Sequence, residues 1–335
     1  MLALMCSAAV HAQTTGQCGY PVSLSASGFE AGEQPPYVEL PDESTPLSMA
    51  VDYPGEGAVI RSSSLQVYGS LAGPANTGVT INASHLATTD ATAFTTQLIA
   101  LPPGPQVLNI TATTLDGATQ TITRNITVSP ELGEDVQLRA RTAGHFAPLR
   151  IGFDLRTQFP AGQTQIVRLQ VDYNGDGIFE LDSADASVPL AYSYDRAGAY
   201  LARAVVSFDD GNSATPLVLR ESTFRVQMDT LAYSRQLLCR VYQQMKDRLL
   251  ANQPASALLT LTPQIRPRFS SLWGELGSTL PDVAAQLGDI VSGQISDISA
   301  DFVIALPDPA KPGAYLGFPL QFERTLDGVW RIGGM

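Results

Sequence analysis

The run Val107-Leu108-Asn109-Ile110-Thr111-Ala112, the turn Leu115-Asp116-Gly117-Ala118 and the run from Thr119 to Val128 decide how this chain is read. In the last piece Ile122, Ile126 and Val128 fall an even number of residues apart, which puts them on one face of a strand. Asp-Gly between two such runs is a hairpin signal, because glycine accepts positive φ at little cost. Outward from this hairpin, Leu65-Gln66-Val67-Tyr68-Gly69-Ser70-Leu71 alternates with period two, as do Val79-Thr80-Ile81 and Phe94 to Leu98. Short strands divided by turns predict a β-sandwich over 47–130.

The same signal continues over 131–230. In YSYDRAGAYLARAVVSFDDGN, residues 192–212, Tyr192, Tyr194, Tyr200, Ala202, Ala204 and Val206 are evenly spaced. After Thr230 the period becomes helical: Leu237, Leu238, Val241, Tyr242, Met245, Leu249 and Leu250 recur at three- and four-residue steps. Ala255–Leu261 and Pro267–Leu276 predict further short helices. Val283–Ile298 shows no clear period. Three strands are predicted at Ala300–Leu306, Ala314–Arg324 and Val329–Ile332, with Asp327-Gly328 in the last turn.

Three resemblances follow from these stretches. VYGSLAGPANTGVTIN (67–82) and LPPGPQVLNITATTLDGATQTITRNITV (101–128) resemble the bacterial immunoglobulin-like domains that decorate exported enzymes and adhesins. The Tyr-x-Tyr strand, the Gly-x-Tyr strand and the Asp-Gly turn of 192–212 resemble polycystic-kidney-disease (PKD) domains. LQVDYNGDGIFELD (169–182) stands where those domains carry a tryptophan and a WDFGDG-like stretch. Helices followed by a meander ending in DGVWRI resemble the NTF2-like and SnoaL-like α+β folds, whose members are small-molecule enzymes or binding and assembly domains. The resulting fold class is multidomain: two all-β immunoglobulin-like sandwiches followed by a small α+β (NTF2-like) domain. The expected divisions are 1–12 signal peptide, 13–46 flexible linker, 47–130 Ig-like sandwich, 131–230 PKD-like sandwich and 231–335 α+β domain.

Composition bounds the function. The chain has 335 residues, 44% hydrophobic and 16% charged, so it carries enough apolar material for several cores. Its net charge of −12 repels phosphate backbones, which argues against a nucleic-acid partner. Leu2–Val10 is a short apolar run and Val10-His11-Ala12 offers a cleavage site, so the reading is an exported protein, extracellular, surface-bound or periplasmic. No apolar run reaches the ~18 residues of a membrane span. Cleavage removes Cys6 and leaves Cys18 and Cys239, either a disulfide or two separate thiols, since sequence cannot show whether they approach each other.

The best candidate site is Asp172-Tyr173-Asn174-Gly175-Asp176-Gly177-Ile178-Phe179-Glu180. Oxygens at alternate positions wrap a hard cation, and glycine permits the sharp turn. An EF-hand-like count uses Asp172, Asn174, Asp176, the Ile178 carbonyl and Glu180 as ligands of Ca2+, whose job would be to stiffen a loop. The twelfth position is Ser183 instead of a bidentate Glu, with Asp182 and Asp185 close by as substitutes. The same residues equally make a polar β-turn. Zinc spacing is missing: His85 and His145 lie in different predicted domains and read as surface residues. No Gly-x-Ser-x-Gly and no phosphate loop occurs. Asp282, Asp289, Asp297 and Asp301 are the acids of a C-terminal pocket, if one exists, and Trp273, Phe302, Phe318, Phe322 and Trp330 either line it or fill a core. The functional reading is a non-catalytic exported protein that takes a protein or carbohydrate ligand at the cell surface. The alternative is an enzyme with a carboxylate-lined C-terminal pocket.

Overall fold

The structure is a computed structural model and describes residues 39–90, 92–130, 136–141, 144–157, 165–209, 218–311 and 314–335. The expected signal peptide, with Cys6, and most of the expected linker, with Cys18, lie outside the described residues. The chain is mostly β-sandwich, with a small helical region near its C-terminal end. Its buried apolar side chains fall into three clusters.

The first cluster is enclosed by β1 (Ser48–Tyr53), β2 (Val59–Ile60), β3 (Ser64–Leu65), β4 (Tyr68–Ala72), β5 (Thr77–Ile81), β6 (His85–Thr89), β7 (Ala93–Thr96), β8 (Ile99–Ala100), β9 (Gly104–Thr114) and β10 (Thr119–Val128). Strands β1, β4 and β7 form one layer and β5, β9, β10 and β2 the other. Strand β6 pairs with both β5 and β7 and so turns the corner between layers. Strands β9 and β10 pair from Thr113↔Thr119 to Gly104↔Val128 around Gly117, whose φ is 87°. Val79, Ile81, Phe94, Leu108, Ile110 and Ile126 meet between the layers.

The alternation of 65–71 predicts one strand, but the ladder breaks between β3 and β4. Gln66 leaves the sheet to bind another part of the molecule. Thr96 closes the gap, its N–H donating to Val67 O and its Oγ1 accepting from Val67 N, each at 2.9 Å.

The second cluster lies between the sheet β11 (Val136–Ala140), β12 (Leu149–Thr157), β15 (Leu190–Tyr194) and the sheet β14 (Leu181–Ser183), β13 (Gln165–Asp172), β16 (Gly198–Asp209), β17 (Val218–Met228). Phe153, Tyr173, Tyr192, Tyr194 and Tyr200 run through it as consecutive ring contacts 4.8–5.4 Å apart. The buried Tyr194 hydroxyl donates to Tyr173 O at 2.8 Å, which satisfies the polar end of that ring.

The third cluster begins with α1 (Leu231–Leu250). Thr230 caps it, its Oγ1 accepting from Tyr233 N at 3.1 Å, and Arg248 sits in the last turn, where the helix dipole favours a cation. Leu237, Leu238, Val241, Tyr242, Met245 and Leu249 face inward, whereas Leu250 points to solvent. Helices α2 (Pro254–Ala257), α3 (Arg266–Leu276) and α4 (Leu280–Ala285) follow, then the antiparallel meander β18 (Asp289–Ile295), β19 (Ser299–Pro307), β20 (Tyr315–Arg324), β21 (Trp330–Gly334). The stretch with no clear period thus holds the end of α4 and a fourth strand. A bulge between Ile290 and Ser292 shifts the faces of that strand and hides its alternation. Trp273, Phe302, Phe322 and Trp330 are buried in the cluster, and Phe318 is not, at 44% exposed.

The expected linker is pinned at its described end. Leu40 is buried with α1, and Pro41 O accepts from Arg240 Nη1 at 2.5 Å. Cys239, on the same helix, is buried and disulfide-bonded. Among the described residues no helix is long and apolar enough to cross a membrane.

Buried amides join the clusters. Gln66 Nε2 donates to Arg225 O at 2.7 Å and to Thr96 O at 3.1 Å, while its Oε1 accepts from Arg225 N at 2.8 Å. Asn76 Nδ2 donates to Trp330 O and its Oδ1 accepts from Trp330 N, both at 2.9 Å. Beside it Gly78 meets the turn before β21 so closely that a Cβ would stand 2.3 Å from Asp327 O.

Candidate functional site

The loop between β13 and β14 gathers the predicted ligands. Asp172 ends β13 almost completely buried, at 2% exposed. Its Oδ1 accepts from Gly175 N at 2.7 Å and its Oδ2 from Gly177 N at 2.9 Å. Both glycines have positive φ, 77° and 88°, which lets the backbone curl around the carboxylate. Asp176 N donates to Asn174 Oδ1, and Ile178 N to Asp176 Oδ1, each at 2.8 Å. Glu180 closes the loop by accepting from Tyr173 N at 2.7 Å. One carboxylate oxygen from each of Asp172, Asp176 and Glu180 comes within 4.8 Å of the others. Asn174 is held beside them by its Nδ2 donating to Asp176 Oδ2 at 3.0 Å. Ile178 projects its side chain into solvent, 68% exposed, and enters the loop through its backbone alone.

The two acids expected to substitute for the missing twelfth ligand point elsewhere. Asp182 receives Arg168 Nε at 2.7 Å and Arg168 Nη2, with Gln170 Nε2 at 3.2 Å. The hydrogen bond from that guanidinium holds the Asp182 carboxyl below the usual carboxylate range. Asp185 caps its own turn by accepting from Ser187 N and Ser187 Oγ. The loop therefore offers three carboxylates and an amide, without a closing bidentate group.

Three of the four C-terminal acids serve separate local contacts. Asp289 pairs with Lys246 at 3.3 Å, Asp297 with His145 at 3.2 Å, and Asp301 accepts from Gln321 Nε2 at 3.2 Å. Asp282 is exposed in the first turn of α4.

Sequence reasoning missed a buried polar cluster where the three parts meet. A cavity of about 20 Å³ is lined by Asn76 and Thr89 of the first sandwich, His145 and Asp229 of the second, and Tyr233, Asp297, Arg324 and Trp330 of the C-terminal part. That volume holds about one water, not a substrate. His145, read from sequence as a surface residue, is only 13% exposed on its side chain, and burial pushes its imidazole pKa down. His85 is exposed. Arg324 is partly buried and donates to Ala87 O, to Thr89 Oγ1 at 3.5 Å and to Gly328 O at 3.0 Å. Asp229 is 5% exposed, and its carboxyl is pushed up to about 7, by burial first and by Asp90 second. The one available signal was polar residues inside apolar runs, which does not reveal partners so distant in sequence.

No family model matches the chain, and no curated protein matches it. Solved structures align with part of it. The fibronectin(III)-like modules of Clostridium thermocellum CbhA align over 54% of this chain and 95% of their own, at 15% identity and a TM-score of 0.20. Latent PorU of Porphyromonas gingivalis aligns over 55% of this chain and 20% of its own, at 14% identity and a TM-score of 0.27. Bacteroides ovatus SGBP-B, solved with a mixed-linkage heptasaccharide, aligns over 54% of this chain and 47% of its own, at 12% identity and a TM-score of 0.19. Scores this low carry no functional argument, and the sandwich assignment stands on the strand ladders themselves.

Proposed function

We propose that the chain is an exported, non-catalytic protein of the cell surface or periplasm. In this reading an Ig-like sandwich (47–130) and a PKD-like sandwich (131–230) act as a rigid spacer. The sandwiches and an NTF2-like C-terminal part (231–335) take a protein or carbohydrate ligand. The observation that carries it is the pair of buried amide clamps, Gln66 on Arg225 and Asn76 on Trp330, which fix the first sandwich to both other parts. A spacer needs such fixed junctions, because a flexible chain of domains does not hold a binding face at a set distance. The alternative, an enzyme with a carboxylate-lined C-terminal pocket, gains nothing from acids of which three serve separate contacts and the fourth, Asp282, is exposed.

Calcium belongs to the same proposal. Asp172, Asn174, Asp176, the Ile178 carbonyl and Glu180 would hold it. Supporting this are three carboxylates gathered within 4.8 Å, whose mutual repulsion a divalent cation relieves. The ion would stiffen the β13–β14 loop and perform no chemistry.

Glycan arrays and pull-downs with the full chain should yield a stable ligand; turnover of a substrate with no stable complex would overturn the reading. For the metal, chelated protein is titrated with calcium while its Tm is followed. A rise that Asp176→Ala abolishes supports the site, and a flat titration removes it.

A further inference from the structure

Asp229 follows β17 directly, and its backbone is braced on the second sandwich: its N–H donates to His145 O at 2.5 Å and its carbonyl accepts from Ala147 N at 2.8 Å. Its side chain, in contrast, lines the cavity between all three parts and accepts no hydrogen bond from the described residues. The groups around it come from every element packed there. Asp90, between β6 and β7, accepts from Thr92 N, Thr92 Oγ1, Ala93 N and Gln227 Nε2 and is held in place as an acceptor. Arg324 of β20 is the cation that acts on it; its Nε donates to Gly328 O and its Nη2 to Ala87 O and Thr89 Oγ1. His145 and Asp297 pair with each other across the same cavity. Tyr233 of α1 brings a buried hydroxyl with no hydrogen-bond partner among the described residues, and the Arg240–Glu43 pair stands behind it.

We infer that Asp229 is a proton-operated latch: its neutral carboxyl lets the three parts close on one another, and its ionised form loosens them at this junction. Neutral, it removes the repulsion with Asp90 and can donate a hydrogen bond within the cavity. Ionised, it is a desolvated charge repelled by the Asp90 carboxylate, and the attraction of Arg324 only partly offsets these two effects.

The direction of the pH dependence follows from linkage. The folded protein holds the Asp229 proton more tightly than the unfolded chain, because the carboxyl moves from 3.8 up to about 7. Stability from this group is therefore fully present below about pH 4, declines as pH rises towards 7, and stays lost above it.

The experiment uses the full chain, wild type and Asp229→Asn, with Tm measured from pH 5.5 to 8.5. The asparagine keeps the shape and donor capacity of the neutral acid and cannot ionise. The wild-type Tm should fall by roughly 4–8 °C more than that of the variant across this range. Parallel curves for the two proteins overturn the latch. A second measurement covers failure of the variant to fold: hydrogen exchange of wild-type segments 87–90 and 324–328, corrected for intrinsic rate. Protection about tenfold lower at pH 8.5 than at 5.5 supports the proposal, and equal protection overturns it.

Discussion

Asn76 and Trp330 pair like two strand residues although 254 positions separate them: the amide of one takes both backbone groups of the other at 2.9 Å. Gln66 does the same to Arg225 across 159 positions. Each amide occupies the place of a missing strand, so two sheets that do not continue into one another are still joined by backbone-type hydrogen bonds. Asn76 sits between β4 and β5 of the first sandwich, and Trp330 opens the last strand of the meander.

Removing that amide leaves both Trp330 backbone groups unpaired in a buried place. Asn76→Ala should destabilise the protein by about 2–6 kcal/mol in urea unfolding, twice the cost of one orphaned buried group. Asn76→Asp should be worse near neutral pH, because it replaces the donor facing Trp330 O by a second acceptor. An aspartate variant as stable as wild type would show that this pairing does not hold the junction.

Gly78 tests the same junction by shape. Its missing Cβ lets the backbone of Asp327 and Gly328 approach, and the added methyl of Gly78→Ala would stand 2.3 Å from Asp327 O. The turn before β21 must then move away, at about 1–3 kcal/mol. Far-UV circular dichroism should stay unchanged while limited proteolysis near residue 327 speeds up. Unchanged proteolysis would mean that the two backbones adjust without separating.

The contrast between what was and was not legible in the sequence follows from range. The β9–β10 hairpin, the inward row of α1 and the 172–180 loop are set by alternation, three- and four-residue steps and glycine turns, which all lie within a few residues. The loop gathers Asp172, Asp176 and Glu180 as the spacing implies, but Asp182 and Asp185 are taken by Arg168 and Ser187. Gln66 falls on the polar side of an alternating run, where a polar residue needs no explanation. Its buried role appears only when β17 arrives from far along the chain. Asp229, His145 and Arg324 were hidden for the same reason, since the cavity exists only once three separate cores are packed.

The loop should depend on Asp172 even without metal. Asp172→Ala removes a buried acceptor and frees the Gly175 and Gly177 N–H groups, at about 1–3 kcal/mol in calcium-free buffer. Asp176→Ala, at an exposed position, should cost less than about 1 kcal/mol there. Equal losses for the two variants in the presence of chelator would contradict this division of labour.

His145 should set the acid limit of the junction. Burial and Arg324 push its pKa below 6.5, and the neighbouring Asp297 only partly opposes them. The unfolded chain therefore takes up this proton first as pH falls. By linkage, stability is lost as pH drops below about 6.5 and through the folded pKa, at about 1.4 kcal/mol for each unit of depression. Asp229 acts in the opposite direction, losing stability as pH rises. His145→Gln keeps a donor towards Asp297 without a titrating ring, so the variant should lose less stability than wild type between pH 6.5 and 4.5 and match it near pH 8. Urea unfolding at four or five pH values checks this. A variant that loses as much as wild type on the acid side would assign that loss to other groups and leave His145 as a packing residue.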